Sequence, residues 1–209
     1  MPLARWITAL TLTGCLASLP AAAARPSFSC AKPAGAAEQA ICGDALLAAL
    51  DRESARLYGL AVGSTSGPAR KELVAFQRGW IKGRNDCWKS SDPKTCIRDS
   101  YLSRIAELRT QFAAARGQDA RGTSLGPAVV RCPAPTGELR ATFVNVEPAL
   151  AYLSGGQGGI VLNIARSGSG ARYTATTPQG DALFWQKGPE AFVQWPGGPE
   201  QTCAVSSMR

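Results

Sequence analysis

The sequence predicts two domains: a disulfide-stapled α-helical hairpin or three-helix domain, then an all-β antiparallel barrel of about eight short strands. Three observations carry this expectation. Apolar residues recur at helical spacing as far as Phe112 and in alternation after Pro127, so the period changes along the chain. Between these regions, residues 116–127 hold Gly117, Gly122 and Gly126 with Thr123, Ser124 and Pro127, the composition of a linker. The cysteines fall in both halves and are even in number once the leader is set aside. The expected division is a secretion signal over residues 1–24, helices over 25–115, a linker over 116–127 and the barrel over 128–209.

The leader comes first. Arg5 precedes an apolar run from Trp6 to Leu19, and Pro20 with Ala21, Ala22, Ala23 and Ala24 supplies small residues for cleavage. The run is shorter than the roughly 20 residues a spanning helix requires. Export to the periplasm is the expectation. Leu12-Thr13-Gly14-Cys15 resembles a lipobox, so the alternative is an outer-membrane lipoprotein anchored through Cys15. Export makes Cys30, Cys42, Cys87, Cys96, Cys132 and Cys203 disulfide partners. A zinc site is excluded in favour of disulfides, because there is neither a C-x-x-C pair nor any histidine.

From Ala36 to Val62 the pattern is helical, with Asp44 suited to cap a helix whose Leu47, Leu50, Leu57 and Tyr58 form one stripe. Gly63-Ser64-Thr65-Ser66-Gly67 breaks it, and Pro68 fits the first turn of the next helix. That second helix aligns Leu73, Phe76, Trp80 and Cys87 on one face. Asp92-Pro93 opens a third helix, whose Ile97, Tyr101, Ile105, Leu108 and Phe112 keep amphipathic spacing. An antiparallel hairpin brings the start of the first helix beside the second-to-third turn. Each of Cys30 and Cys42 is therefore expected to join one of Cys87 and Cys96, with the pairing open.

Past the linker, eight short runs alternate: 129–132, 138–146, 149–153, 159–165, 171–176, 182–187, 191–195 and 202–206. They recur at intervals of about ten residues with turn signals between them, the pattern of a sandwich or small barrel. Cys132 on the first and Cys203 on the last are expected to join the two ends of the domain.

An apolar fraction of 45% against 18% charged residues places the chain among globular rather than disordered proteins. Positive charge is uneven. Residues 25–126 hold 16 Lys and Arg against 10 Asp and Glu, whereas residues 127–209 hold 6 against 5. The basic helical half suits an anionic cell-envelope polymer or lipid headgroups, although a solvated helix surface is the plainer reading. A nucleic-acid partner is not expected of an exported chain with few exposed aromatics.

The absence of histidine removes the commonest general base and metal ligand. Leu153-Ser154-Gly155-Gly156-Gln157 spells the signature of ATP-binding cassette proteins, but no phosphate loop accompanies it and it falls in a predicted hairpin. Ser91-Asp92-Pro93-Lys94 fits S-x-x-K of penicillin-binding enzymes, yet Pro93 interrupts it and the partner motifs are missing. Trp80, Tyr101 and Phe112 read as helix core. No enzyme, cofactor or metal is expected.

Two stretches remain. Ser167-Gly168-Ser169-Gly170 places a small hydroxyl on a glycine-rich loop, and Phe184-Trp185-Gln186-Lys187-Gly188 ends an aromatic strand with a cation at a glycine turn. By pattern alone these are a hairpin loop and a strand-ending turn. Residues 128–209 resemble the MliC-type inhibitors of C-type lysozyme, small β-barrels with one disulfide. The family motif S-G-x-x-Y is met by Ser169, Gly170 and Tyr173; of Y-x-x-x-T-K-G, Lys187 and Gly188 are present, with Ala182 and Gln186 in place of tyrosine and threonine. Residues 28–112 resemble the LprI-like lysozyme-inhibitor N-terminal domain through Phe28-Ser29-Cys30, Ala40-Ile41-Cys42, Leu50-Asp51-Arg52, Gln77-Arg78-Gly79-Trp80, Arg84-Asn85-Asp86-Cys87, Cys96 and Tyr101. The resemblance implies an inhibitor of C-type lysozyme. By that resemblance Ser169 would bridge the two active-site carboxyl groups and Lys187 would pair with the ionised one, while Gly170 would let the loop turn, Tyr173 would anchor its base and Gly188 would form the turn after Lys187. The alternative expectation is a periplasmic envelope-binding module without inhibition.

Overall fold

Helix-forming sequence and its caps set the first half of the chain. The computed structural model describes residues 25–117 and 122–207; the leader, including Cys15, lies outside the described residues. The helices are α1 (Ala36–Cys42), α2 (Ala45–Gly63), α3 (Gly67–Asn85), α4 (Pro93–Gln111) and α5 (Ala113–Arg116), with a 3-10 turn at Asp86–Lys89 between α3 and α4. What reads as one helical pattern from Ala36 to Val62 is thus two helices broken at Gly43. Asp44 accepts from the backbone N–H groups of Leu46 and Leu47, at 3.1 and 3.2 Å, and starts α2 afresh. Asp92 caps α4 by accepting from Thr95 N–H at 3.1 Å, with Pro93 in the first turn.

Break and turn together decide the disulfides. The expected early-to-late pairing is corrected: Cys30 joins Cys42 and Cys87 joins Cys96, with Cα separations of 5.8 and 5.6 Å. Cys42 ends the short α1 instead of starting a long helix, so the segment carrying Cys30 folds back onto it. Cys87, in the 3-10 turn, meets Cys96 in the first turn of α4 across a tight corner. Each bridge staples a local loop.

Leu47, Leu50 and Leu57 of α2 and Ile97, Tyr101, Ile105 and Leu108 of α4 are buried together. Phe76 departs from the expected stripe and is 60% exposed, because α3 turns Leu73, Gln77 and Arg84 inward instead. Each buried polar group on that inner face has a partner, as desolvation requires. Arg84 donates to the Tyr101 hydroxyl at 2.6 Å, and that hydroxyl donates to Asp51 at 2.8 Å. Arg104 donates to Gln77 and, at 2.7 Å, to Glu107. Trp80, half-buried, meets Tyr101 edge-on at 5.3 Å.

The second half is a closed barrel with strands in chain order: β1 (Ser124–Arg131), β2 (Glu138–Val144), β3 (Leu150–Gly155), β4 (Gly158–Ala165), β5 (Ala171–Thr177), β6 (Gly180–Lys187), β7 (Glu190–Gln194) and β8 (Glu200–Ser207). Strand β8 returns to pair with β1, from Ala128 opposite Ser207 to Arg131 opposite Ala204, and closure leaves no open edge. Cys132 and Cys203 are bonded across that seam. Strand β1 starts at Ser124, within the segment of linker composition, and its register shifts between Leu125 and Ala128.

Alternation fills the barrel with Leu139, Ala141, Ala151, Leu153, Leu162, Phe184 and Val193. The opposite face of β2, β3 and β4 offers Val144, Leu150 and Val161 to the helical core, chiefly through α4. A polar latch completes this junction. Glu53 of α2, with its side chain 2% exposed, receives the N–H groups of Thr123 and Ser124, at 3.3 and 3.1 Å, and the Ser124 hydroxyl. Arg109 donates to the carbonyls of Gly126, at 2.8 Å, and Ala115, at 2.9 Å. Burial alone raises the Glu53 carboxyl; the bonds from Arg56 and Ser124 outweigh it and hold the group below its ordinary value. Burial lowers the Arg109 guanidinium against the pull of Glu53.

Candidate functional site

The antiparallel order puts the β4–β5 loop and the β6–β7 turn at one end of the barrel. Ser169 lies in the first and Lys187 with Gly188 at the second, and all three are exposed. Their strands are joined through β5 and β6, with Ala171 opposite Gln186 and Tyr173 opposite Phe184. The two stretches are therefore neighbours in space.

The loop is ordered by its own hydroxyl and by a ring from the neighbouring strand. Ser167 Oγ accepts from Ser169 N–H at 3.3 Å and donates to Ser169 C=O at 2.5 Å, leaving the Ser169 hydroxyl unengaged among the described contacts. Trp185 Nε1 donates to the same carbonyl at 2.8 Å. Gly170 sits at φ +68, and a Cβ there would strike the Gln186 carbonyl oxygen and lie 3.3 Å from Lys187 Cγ. Only glycine allows the loop to lie this close to β6.

Lys187 is two residues beyond Trp185 and so shares its face of the sheet. Its Nζ rests 3.6 Å from the Trp185 ring centroid and 5.3 Å from that of Phe192. The two rings are 5.7 Å apart and form a cradle for the ammonium group. Gln186, standing where the resembled motif has threonine, donates through Nε2 to the Gly188 carbonyl at 3.0 Å and so holds the turn. Gly188 has φ +62. Ala182, in place of the motif's tyrosine, is buried in the barrel.

Tyr173 is buried, with its ring 5.6 Å from that of Phe143, and it secures the base of the loop strand in the core. Burial raises its phenol above the ordinary value. Ser169, Gly170, Lys187 and Gly188 thus meet at one exposed edge with Tyr173 beneath them. Trp185 is the residue that sequence reasoning passed over. It reads there as aromatic surroundings, whereas one indole contacts both the Ser169 loop and Lys187. Its place before the cation at i−2 was the available signal.

The arrangement offers an exposed hydroxyl on the loop and a cation at the adjoining strand end, groups suited to holding carboxyl groups. Among the described residues, no group of three or more His, Cys, Asp or Glu is placed to hold a metal ion, and no helix is long and apolar enough to cross a membrane. Neither tempting motif gains a site. Ser154 and Gly155 belong to the β3–β4 hairpin. Asp92 caps α4, and Lys94 pairs with Asp44 at 3.1 Å.

Residues 130–201, nearly the whole barrel, match the MliC family, membrane-bound lysozyme-inhibitor of c-type lysozyme. Lipoprotein LprI of Mycobacterium tuberculosis is 34% identical over 179 residues, covering 81% of this chain and 85% of the relative. Lipoprotein LprI of Mycobacterium bovis matches to the same extent. No solved structure matches the chain. Because the likeness runs through helices and barrel alike, the chain belongs to the LprI family, with an LprI-like N-terminal half and a barrel of the MliC lysozyme-inhibitor type.

Proposed function

We propose that this protein is an exported inhibitor of C-type lysozyme that presents the Ser169 loop and Lys187 to the enzyme's active-site cleft. Lysozyme needs one carboxyl group protonated as an acid and a second kept ionised. The Ser169 hydroxyl both donates and accepts, so it suits a bridging position between them. Lys187 supplies the cation for the ionised group, and such charge-assisted bonds are the stronger kind. No bond is broken, so the inhibitor itself needs neither base nor nucleophile.

The observation that carries this reading is the shared edge: the Ser169 loop lies beside the end of β6 that carries Lys187, and Trp185 both donates to the Ser169 carbonyl and lies under the Lys187 ammonium. Gly170 gives the loop its close approach, while Tyr173 and Gly188 hold the two bases. The near-neutral charge of residues 127–209 supports the barrel as the docking half, since C-type lysozymes are typically basic and repel a strongly positive surface. The LprI and MliC relationships support an envelope location, in the periplasm or held at a membrane. The test is bacterial-wall lysis by C-type and goose-type lysozymes with and without the protein. The reading expects inhibition of the C-type enzyme, lost on Ser169→Ala or Lys187→Ala with folding intact. Full inhibition by both variants would refute it.

A further inference from the structure

A second surface lies on α3, away from the residues just discussed. Arg70, Lys71, Arg78 and Lys82 are exposed, and none has an ion-pair partner among the described residues. At about 100° per residue they occupy a stripe roughly 120° wide, which also contains Val74 and Ile81. No acidic residue falls in this stripe: Glu72 projects to the other side, and Asp86, past the helix, is paired with Lys89 at 2.9 Å. A merely solvated helix face interleaves both signs; this one does not.

Apolar groups stand beside the cations. Ile81 is 38% and Trp88 60% exposed, and with Arg78, Lys82, Ala37 and the Lys89-paired Asp86 they border an open groove of about 600 Å³. The Cys87–Cys96 bridge fixes the turn that projects Trp88. Cations beside an indole and a branched aliphatic chain match the headgroup layer of an anionic bilayer, where phosphate lies above hydrocarbon. An anionic glycan meets the cations but offers Ile81 and Val74 no apolar phase.

We infer that this face of α3 docks on an anionic lipid surface, with Arg70, Lys71, Arg78 and Lys82 over the headgroups and Trp88 and Ile81 in the interface. Helix α3 packs on α1, α2, α4 and the 3-10 turn, while α4 packs on β1 to β4, so α4 separates the docked face from the barrel. The inference does not depend on the lysozyme reading, since α3 holds none of that site's residues.

The experiment uses protein lacking residues 1–24, which retains every described element, with vesicles of phosphatidylcholine alone or mixed equally with phosphatidylglycerol. The protein is expected to sediment with the mixed vesicles only, and added salt releases it. The Arg78→Gln, Lys82→Gln double variant lowers the partition coefficient by roughly 30-fold, from about fivefold per cation. A blue shift of indole emission on vesicle addition is lost in Trp88→Phe. Equal binding to both vesicle types, unchanged partition in the double variant, or binding to purified cell wall without binding to vesicles would each overturn the inference. Thermal unfolding of each variant checks that the fold is kept.

Discussion

Replacing Trp185 with leucine removes two contacts at once: the indole N–H bond to the Ser169 carbonyl and the ring face beneath the Lys187 ammonium. The first contributes about 1 kcal/mol net. The second contributes about 0.5–1 kcal/mol at an exposed site. If both order the loop and the lysine for binding, their loss weakens inhibition by about 2 kcal/mol, or roughly 30-fold. Phenylalanine keeps a ring but no N–H, so Trp185→Phe recovers part of the loss and remains about fivefold weaker than the parent. The assay is the inhibition constant for a C-type lysozyme acting on bacterial walls, with thermal unfolding measured alongside. A cycle of Trp185→Leu with Lys187→Ala separates the two contacts, because the ring loses its coupling to position 187 once the ammonium is gone. An inhibition constant within twofold of the parent in Trp185→Leu, at unchanged melting temperature, would refute the idea that this indole orders the site.

Other expectations follow from single positions. Gly170→Ala forces a side chain into a φ of +68 and against the Gln186 carbonyl, so it weakens inhibition at least tenfold, measured by the same lysis assay. Glu53→Gln breaks the latch between α2 and β1 and costs about 2–4 kcal/mol in chemical denaturation at neutral pH. The Glu53 carboxyl is held below the unfolded value of 4.5. Its contribution is therefore complete above that pH and lost as pH falls through the lower folded value, and the variant shows correspondingly less acid sensitivity. Replacing Cys132 and Cys203 together by alanine opens a loop of sequence separation 71. It lowers barrel stability by about 4 kcal/mol in the chain-entropy model, read from denaturant midpoints.

The barrel was legible because alternation and glycine turns are local signals: all eight strand regions lie where the sequence places them. The start of β1 was not, since Ser124-Leu125-Gly126-Pro127 has loop composition and is strand only through its partners Val144 and Phe143 in β2. Helix ends were legible at Asp44 and Asp92, where the side chain itself makes the cap. Phe76 and the disulfide pairing were misread for one reason. Each expectation assumed the simplest three-helix packing, whereas Gly43 breaks the first helix and α3 buries Arg84 and Gln77 in place of Phe76. A charged residue that is buried because a partner from a distant segment satisfies it leaves no periodic trace. Glu53 and Arg109, bonded to β1, are of this kind. At the site, motif resemblance singled out Ser169 and Lys187. Trp185 reaches Lys187 from two residues earlier on the same strand, which the sequence spacing shows, and reaches the Ser169 carbonyl in the β4–β5 loop, a contact that a linear reading does not show.

On the proposed function, the Ser169–Lys187 edge occupies the lysozyme cleft. The decisive measurement is a titration of the protein into C-type lysozyme, free and with the cleft filled by a chitin oligosaccharide. Tight binding to the free enzyme is expected, weakened in proportion to oligosaccharide occupancy, with Ser169→Ala and Lys187→Ala each reducing affinity by about 2 kcal/mol or more. Affinity that is indifferent to the filled cleft, or to both substitutions, would contradict it.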